Sequence, residues 1–291
     1  MQMGDRRIFG KVVMVSGLLL GSASLALGAG SGPVPTSNMQ TVGDVEKGVV
    51  QFSVSVGAGY LSGDSTELVY WPEVNNHKAS ELRWKIDDLF MVGAKGRLQI
   101  GPRFTVKLDA WFKATDGSGT MDDFDWQVVG YSEWTDWSHH ENTDVTDGDI
   151  IDTSAEFTFL KTQNAGFNAI VGYRRDHYGW EARGGDYIYS VNGFRDTTGS
   201  FGDDVTVIGY EQTLSAPYLG LGLTAVFTSF QLDSRVIYSP IAQGEATDNH
   251  YLRNLVTDDD VEDMDMIAFE IAGTWLFTSH LGMEAGFSYI H

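Results

Sequence analysis

Apolar and polar side chains alternate with a period of two along most of this chain, and that pattern restricts the fold more than any other feature. Successive side chains of a β-strand point to opposite faces of the sheet, so the alternation predicts strands with one apolar and one polar face. After the first thirty residues, no stretch reaches the roughly 20 apolar residues that a membrane-spanning helix needs. The chain is therefore predicted to be all-β. The clearest alternating runs occupy residues 50–60, 104–112, 151–159, 267–277 and 281–289.

A soluble β-sandwich and a membrane β-barrel both produce alternating strands, and two features favour the barrel. The polar face carries charges, which suits a wet, ion-paired interior; they are Lys107, Asp109, Lys113, Glu156 and Glu270. The connections are also unequal, with short turns at 164–166 and 279–280 and long polar links at 115–150, 184–203 and 244–262. Short turns at one end and long loops at the other are typical of outer-membrane barrels. We therefore predict a transmembrane antiparallel up-and-down β-barrel.

The alternation indicates about nine strands. The pattern leaves open whether 204–227 is one long strand, and whether 264–291 divides at Thr278. Bacterial barrels usually close with an even number of strands, and the sequence stops at His291 inside an alternating run. We therefore expect the last strand to be missing from this sequence. The predicted segments are 49–62, 78–97, 102–116, 150–163, 167–183, 204–215, 217–227, 229–243 and 264–291.

The N-terminus has the layout of an export signal. Arg6, Arg7 and Lys11 precede an apolar stretch at 12–27 that ends in small residues, which is typical of a secretory signal peptide. A retained membrane anchor is the alternative interpretation. The predicted organisation is a signal peptide at 1–28, a polar leader at 29–48 and a barrel at 49–291.

The chain is strongly acidic and has no cysteine. It has 40 acidic and 19 basic side chains, and a formal net charge of −21. Without residues 1–28 it would keep 39 acids against 16 bases, a net charge of −23. Such a surface repels the nucleic-acid backbone and attracts cationic partners. Without cysteine, neither disulfides nor a thiolate nucleophile can form.

Two acid-rich clusters on the predicted long links carry the chemistry. In an extended segment Asp123 and Asp125 share one face, and so do Asp248 and His250. A carboxylate beside an imidazole can make a general base for water, and two neighbouring carboxylates can hold a water and share a proton. The residues alone leave three other interpretations open: a solvated acidic surface, a calcium site, or zinc held by the pair at 139–140.

Several motifs in order make the chain similar to the omptin family of outer-membrane proteases. Residues 182–190 read ARGGDYIYS, with GFRD at 193–196 and GSF at 199–201. Residues 134–140 read WTDWSHH, although Glu141 stands where the family usually has proline. The segment 61–70 resembles the first omptin loop. The resemblance runs from about Val50 to the C-terminus.

The resemblance implies a ten-stranded barrel in the outer membrane of a Gram-negative bacterium, with its active site facing outside. It implies an endopeptidase that cuts polypeptides between basic residues, with no metal or organic cofactor. Asp248 would orient His250, which would take a proton from water, and Asp123 with Asp125 would position that water. The implied substrate-binding residues are Glu67 and Met121 before the cut and Asp136 beyond it.

The sequence departs from the family at two places. Ala246 stands where the family often has a second acid, so we expect a looser preference for basic residues. The bases by which omptins hold lipopolysaccharide are altered around Arg174, Arg175 and His177. Lipopolysaccharide as a lipid partner and activator therefore stays open, as do the natural substrate and the oligomeric state. The alternative functions are a non-catalytic barrel acting as an adhesin and a lipid-modifying enzyme, the latter without a convincing Ser–His arrangement.

Overall fold

The computed structural model describes residues 5–20, 22–25, 50–278 and 281–291. In these ranges the chain is almost entirely β-strand, with two short 3-10 helices at Pro72–Val74 and Tyr251–Arg253. None of the helices within the described ranges is long and apolar enough to cross a membrane. The strands are β1 (Asp5–Leu20), β2 (Ser22–Leu25), β3 (Val50–Trp71), β4 (His77–Ile100), β5 (Phe104–Lys113), β6 (Gly117–Asp125), β7 (Asp136–Lys161), β8 (Ala165–Arg183), β9 (Asp186–Tyr189), β10 (Thr197–Ser200), β11 (Thr206–Val226), β12 (Phe230–His250), β13 (Leu255–Leu276) and β14 (Gly282–Ile290).

The strands form one antiparallel sheet that closes on itself. Hydrogen-bonded neighbours run in the order β3, β4, β5, β7, β8, β11, β12, β13, β14 and β1, and β1 pairs with β3 again. β6 continues the line of β5 between β4 and β7, after a break at 114–116. The prediction of a transmembrane, antiparallel up-and-down barrel is confirmed.

The place between β3 and β14 is filled by β1, whose residues the sequence assigns to the signal peptide. The segment 204–227 forms one strand, and 264–291 divides into β13 and β14. Residues 26–49, which include the whole predicted leader at 29–48, lie outside the described residues. The signal peptide, the leader, the strand count and the missing last strand stay predictions.

The strands are much longer than a bilayer requires. β7 has 26 residues and β3 has 22, whereas about 9–11 residues cross the hydrocarbon core. On β3, the outward apolar side chains run from Val50 to Tyr60, and above them the outward residues Ser62 and Asp64 are polar. The barrel therefore rises beyond the membrane, and its upper part is wet on the outside.

This upper part corrects the sequence prediction of long loops. Residues 115–150 hold β6 and the first half of β7, and most of 244–262 belongs to β12 and β13. The alternation failed there because both faces of these strands are polar, so no apolar face marks them. The remaining connections on the upper end are 72–76, 126–135, 184–205 and 251–254. The site residues consequently lie on strands rather than on loops.

The predicted polar face lines the barrel interior. Lys107 contacts Glu156 at 2.7 Å between their Nζ and Oε1 atoms. Arg235 bridges Asp152 and Glu270, with N···O distances of 3.0 and 2.8 Å. The ion-paired interior predicted from the alternation is confirmed.

An aromatic layer closes the interior above these ion pairs. Trp84 of β4 stacks on Tyr210 of β11, with ring centroids 5.3 Å apart and planes at 6°. Trp180 of β8 packs against both rings. Since β4 and β11 belong to opposite walls, this layer joins the two walls directly below the upper rim.

Candidate functional site

Asp123 and Asp125 lie at the upper end of β6, on its inner face. Both are 7% exposed. Asp125 is directly opposite Ser80 of β4, and the Ser80 hydroxyl donates a hydrogen bond to Asp123 Oδ1 at 3.2 Å. Because residues i and i+2 of a strand share a face, the two carboxylates stand one above the other on the same wall.

Asp248 and His250 lie at the upper end of β12. The Asp248 side chain is 2% exposed, and the His250 side chain is 16% exposed. His250 Nε2 lies 3.0 Å from Asp248 Oδ2. An ionised carboxylate can only accept, so Nε2–H donates and Nδ1 keeps a lone pair. The pair is thus arranged as a base held by a carboxylate.

The two acid clusters face each other across the mouth of the barrel. Burial raises the pKa of Asp123 well above its usual range, and the charges of Asp125 and Asp248 raise it further. Burial also raises the pKa of Asp125, against the lowering influence of Arg253. Asp248 can act on Asp123 in this way only if their charges are close. The mouth of the barrel therefore holds three buried carboxylates beside one imidazole.

The structure adds Tyr189 and Arg253 to this site, which sequence reasoning missed. Burial, with the nearby Asp123, raises the pKa of Tyr189 to about 12. Arg253 ends the short helix that follows His250, and its charge acts on both Asp123 and Asp125. Tyr189 belongs to the ARGGDYIYS motif, which gave a signal for it. No sequence pattern marks Arg253 or Ser80, because only the fold brings them to the acids.

Glu67 and Met121 lie on the same wall as Asp123. Glu67 is opposite Leu82, which is opposite Asp123, so the two acids are separated by two strand spacings of about 4.8 Å each. Glu67 is 1% exposed and Met121 is 0% exposed. Met121 precedes Asp123 by two residues and shares its face. The wall thus joins one buried carboxylate to an apolar surface.

Ala246 lies on the opposite wall and is buried opposite Gln212 of β11. Gln212 Oε1 accepts a hydrogen bond from the Ser65 hydroxyl, at 2.7 Å across the barrel. At the position where a second acid was expected, Ala246 therefore offers only a methyl group, beside the neutral Ser65–Gln212 hydrogen bond.

Asp136 lies opposite Asp125 at the start of β7. Its Oδ1 accepts a hydrogen bond from the Ser190 backbone N–H at 3.0 Å, and its Oδ2 accepts one from the Thr135 hydroxyl at 2.7 Å. Asp136 therefore fixes the end of β9 beside the site. Its role beyond the cut stays a prediction.

The adjacent histidines of β7 point to opposite faces. His140 is fully buried; its Nδ1–H donates to the Gly184 carbonyl at 2.7 Å, and its Nε2 accepts from Ser138 Oγ, 3.0 Å away. Burial lowers its pKa. His139 contacts Asp122 at 2.9 Å on the outer face. The interpretation of His139 and His140 as a zinc-binding pair is therefore wrong. The described residues contain no group of three or more His, Asp or Glu side chains placed to hold a metal.

The chain is similar to a known protein family and to several proteins of known name. Residues 49–291 match the sequence model of the Omptin family. The plasminogen activator of Yersinia pestis is 35% identical over 206 residues, which are 70% of this chain and 64% of that protein. Outer membrane protease OmpP of Escherichia coli K12 is 32% identical over 223 residues, 76% of this chain and 71% of that protein. The matches thus span about two thirds of each relative.

The fold also has a counterpart among solved structures. The crystal structure of outer membrane protease OmpT from Escherichia coli superposes with a TM-score of 0.70 and 20% sequence identity. The superposition covers 97% of this chain and 94% of that one. At this identity the likeness concerns the fold alone.

Proposed function

The chain belongs to the omptin family, and from that premise we propose that it is an outer-membrane endopeptidase that cuts polypeptides at basic sites. One observation carries the proposal: a buried carboxylate pair faces a hydrogen-bonded Asp–His pair across the mouth of the barrel. Both relatives described above are named for proteolytic activities, a plasminogen activator and an outer membrane protease.

The two pairs divide the work on a water molecule between them. Asp248 holds His250 Nε2, which leaves Nδ1 to take a proton from the water as it attacks the peptide carbonyl. Asp123 and Asp125 hold that water from the other wall. Because both carboxylates are buried and resist ionisation, the pair keeps a proton that it can donate to the developing oxyanion.

The acidic groups around the site account for the proposed substrate class. The formal net charge of −21 attracts cationic polypeptides over a distance. Glu67, buried two strands from Asp123, would pair with the basic side chain before the cut, and Met121 would contact its apolar stem. The carboxylate of Asp136 would pair with the basic side chain of the residue beyond the cut. With Ala246 in place of a second acid, dibasic peptides are preferred less strictly.

The shape of the barrel also indicates how it is oriented in the membrane. Because the long strands and the site share one end of the barrel and the short turns lie at the other, the site would face the outside of the cell. No cofactor takes part in the proposed reaction. Lipopolysaccharide is the outer-membrane lipid to test as an activator.

The test is hydrolysis of a quenched fluorescent peptide that contains Arg-Arg, with and without lipopolysaccharide. The folded full chain is compared with His250→Ala and Asp123→Ala. His139→Ala is the matched control, because it removes a histidine from an Asp–His contact on the outer face. An Ala-Ala peptide controls for the substrate.

We expect cleavage at the dibasic bond, lost in the two site variants and kept in the control. A folded barrel that cleaves none of several basic peptides would contradict the proposal and favour a non-catalytic adhesin. Equal cleavage of the Ala-Ala peptide would contradict the basic preference alone.

A further inference from the structure

Ser80 occupies a special position beside the carboxylate pair. In the ladder between β4 and β6 it is directly opposite Asp125, yet its hydroxyl donates to Asp123 Oδ1 at 3.2 Å. The same hydroxyl is among the groups that lower the pKa of Asp125 by hydrogen bonding. One side chain from the neighbouring strand thus reaches both acids.

A hydroxyl is suited to join two carboxyl groups that share a proton. It has one hydrogen to donate and two lone pairs that accept. It can therefore donate to an ionised carboxylate and accept from a protonated carboxyl at the same time. A methyl group can do neither, and an amide or ammonium in this position would change the charge or the size of the site.

We propose that Ser80 is a positioning residue that joins Asp123 and Asp125 into one proton-sharing unit, in which its hydroxyl donates a hydrogen bond to the ionised carboxylate of the pair. The inference deepens the proposed function and rests on it for its role in catalysis. The hydroxyl binds the pair from the neighbouring strand, which leaves the other carboxyl oxygens to hold the attacking water and the shared proton.

Other polar and titratable groups lie around the pair. They are Glu67 on β3, Gln127 after β6, Asp136 on β7, Tyr189 on β9, Asp248 and His250 on β12, and Arg253 after β12. All of them are unchanged by substitution of Ser80. A shift that accompanies this substitution alone therefore reports on the hydroxyl.

The experiment compares Ser80→Ala and Ser80→Thr in the full chain. Ser118→Ala is the matched control, because Ser118 on β6 also hydrogen-bonds a carboxylate, that of Asp88, on the exposed outer side. For each variant, kcat and KM for the dibasic peptide are measured between pH 5 and 9. Gel mobility without heating shows that each barrel is folded.

We expect Ser80→Ala to lower kcat by about 10- to 100-fold, as for loss of a hydrogen bond to a charged group. The acid side of its kcat–pH profile should move to higher pH, with KM unchanged. Ser80→Thr should restore both, and Ser118→Ala should resemble the original chain. An unmoved pH profile in Ser80→Ala, or no rescue by threonine in a folded barrel, would overturn the inference.

A second measurement separates this inference from the proposed function. Infrared titration of the carboxyl band, without substrate, follows the pair directly when Asp123→Asn and Asp125→Asn serve as references. A higher apparent pKa of the pair in Ser80→Ala supports the inference even if no peptide is cleaved. An identical titration overturns it even if the chain is an active protease.

Discussion

The interior of the barrel buries charged side chains at two levels, and it treats them in opposite ways. At the level of the membrane, Arg235 contacts Asp152 and Glu270, and Arg174 contacts Asp176 at 2.9 Å. At the rim, Asp123, Asp125 and Asp248 are also buried, and the charges of Asp125 and Asp248 act on Asp123. The first level matches its acids with basic side chains, whereas the second collects acids.

The difference shows which level maintains the barrel and which carries its chemistry. Removal of one partner from a buried ion pair leaves an isolated charge, so the matched level depends on every member. The rim buries acids near one another, and burial together with repulsion from neighbouring acids raises the pKa values of Asp123 and Asp125, so the pair retains a proton. Between the levels, Trp84 and Tyr210 stack across the barrel and hold the two walls of the site together.

The largest expected effect concerns the orientation of His250. Asp248→Asn should lower kcat for the dibasic peptide by about 10²- to 10⁴-fold, because the amide no longer stabilises the imidazolium that forms when His250 takes the proton. The folded barrel should remain, since the change conserves shape. Peptide hydrolysis and gel mobility measure the two quantities. A decrease of less than tenfold would contradict the role of Asp248.

Loss of one member of the buried ion pairs in the membrane part should lower the stability of the barrel rather than its activity. Arg235→Gln removes the nearer of two guanidinium groups from Asp152 and Glu270, since Arg174 lies 3.8 and 3.6 Å from them. We expect a loss of up to about 3–5 kcal/mol in the free energy of unfolding. Arg175→Gln is the matched control: its ion pair with Asp149 is 37% exposed on the arginine side, so a change of about 0–1 kcal/mol is expected. Urea unfolding in lipid vesicles measures both. Equal losses would remove the distinction between buried and exposed pairs.

A smaller effect is expected in the proposed specificity pocket. Glu67→Gln should lower kcat/KM for an Arg-Arg peptide by about 10- to 100-fold, the cost of one hydrogen bond to a charged group. Hydrolysis of a peptide with a neutral residue before the cut should change little. Ala246→Asp, which adds the second acid, should act in the opposite direction. A parallel loss for both peptides would place Glu67 in the structure of the site rather than in its selectivity.

The sequence predicted the membrane part of the barrel better than the rim, for a physical reason. Lipid outside and water inside force strict alternation, as from Val50 to Tyr60. Above the bilayer both faces are wet, so β6 and the upper part of β12 carry no such signal. Asp123 and Asp248 were singled out as members of acid-rich clusters, and the family resemblance supplied their roles. Ser80 was not, because its partner is 43 residues away and only strand register joins them.

The smallest expected effect links the two levels through pH. Burial raises the pKa of Asp123 above its unfolded value, so the folded state binds this proton more tightly than the unfolded state. This contribution to stability is complete below the ordinary aspartate pKa of about 4 and is lost as the pH rises through the folded pKa. Asp123→Asn cannot ionise, so it should be more stable than the original chain at pH 8, by less than the loss in Arg235→Gln.

The gain in unfolding free energy of Asp123→Asn should shrink towards zero as the pH falls to about 4. At that pH the original chain also carries a neutral side chain at position 123. Urea unfolding of both chains at pH 4, 6 and 8 measures it, and Asp116→Asn, at an exposed acid outside the site, is the control for a simple change of net charge. A gain that does not depend on pH would mean that packing, and not repulsion among the rim acids, sets the difference. A loss at pH 8 would mean that the rim is stabilised by its charges, and the contrast between the two levels would fail.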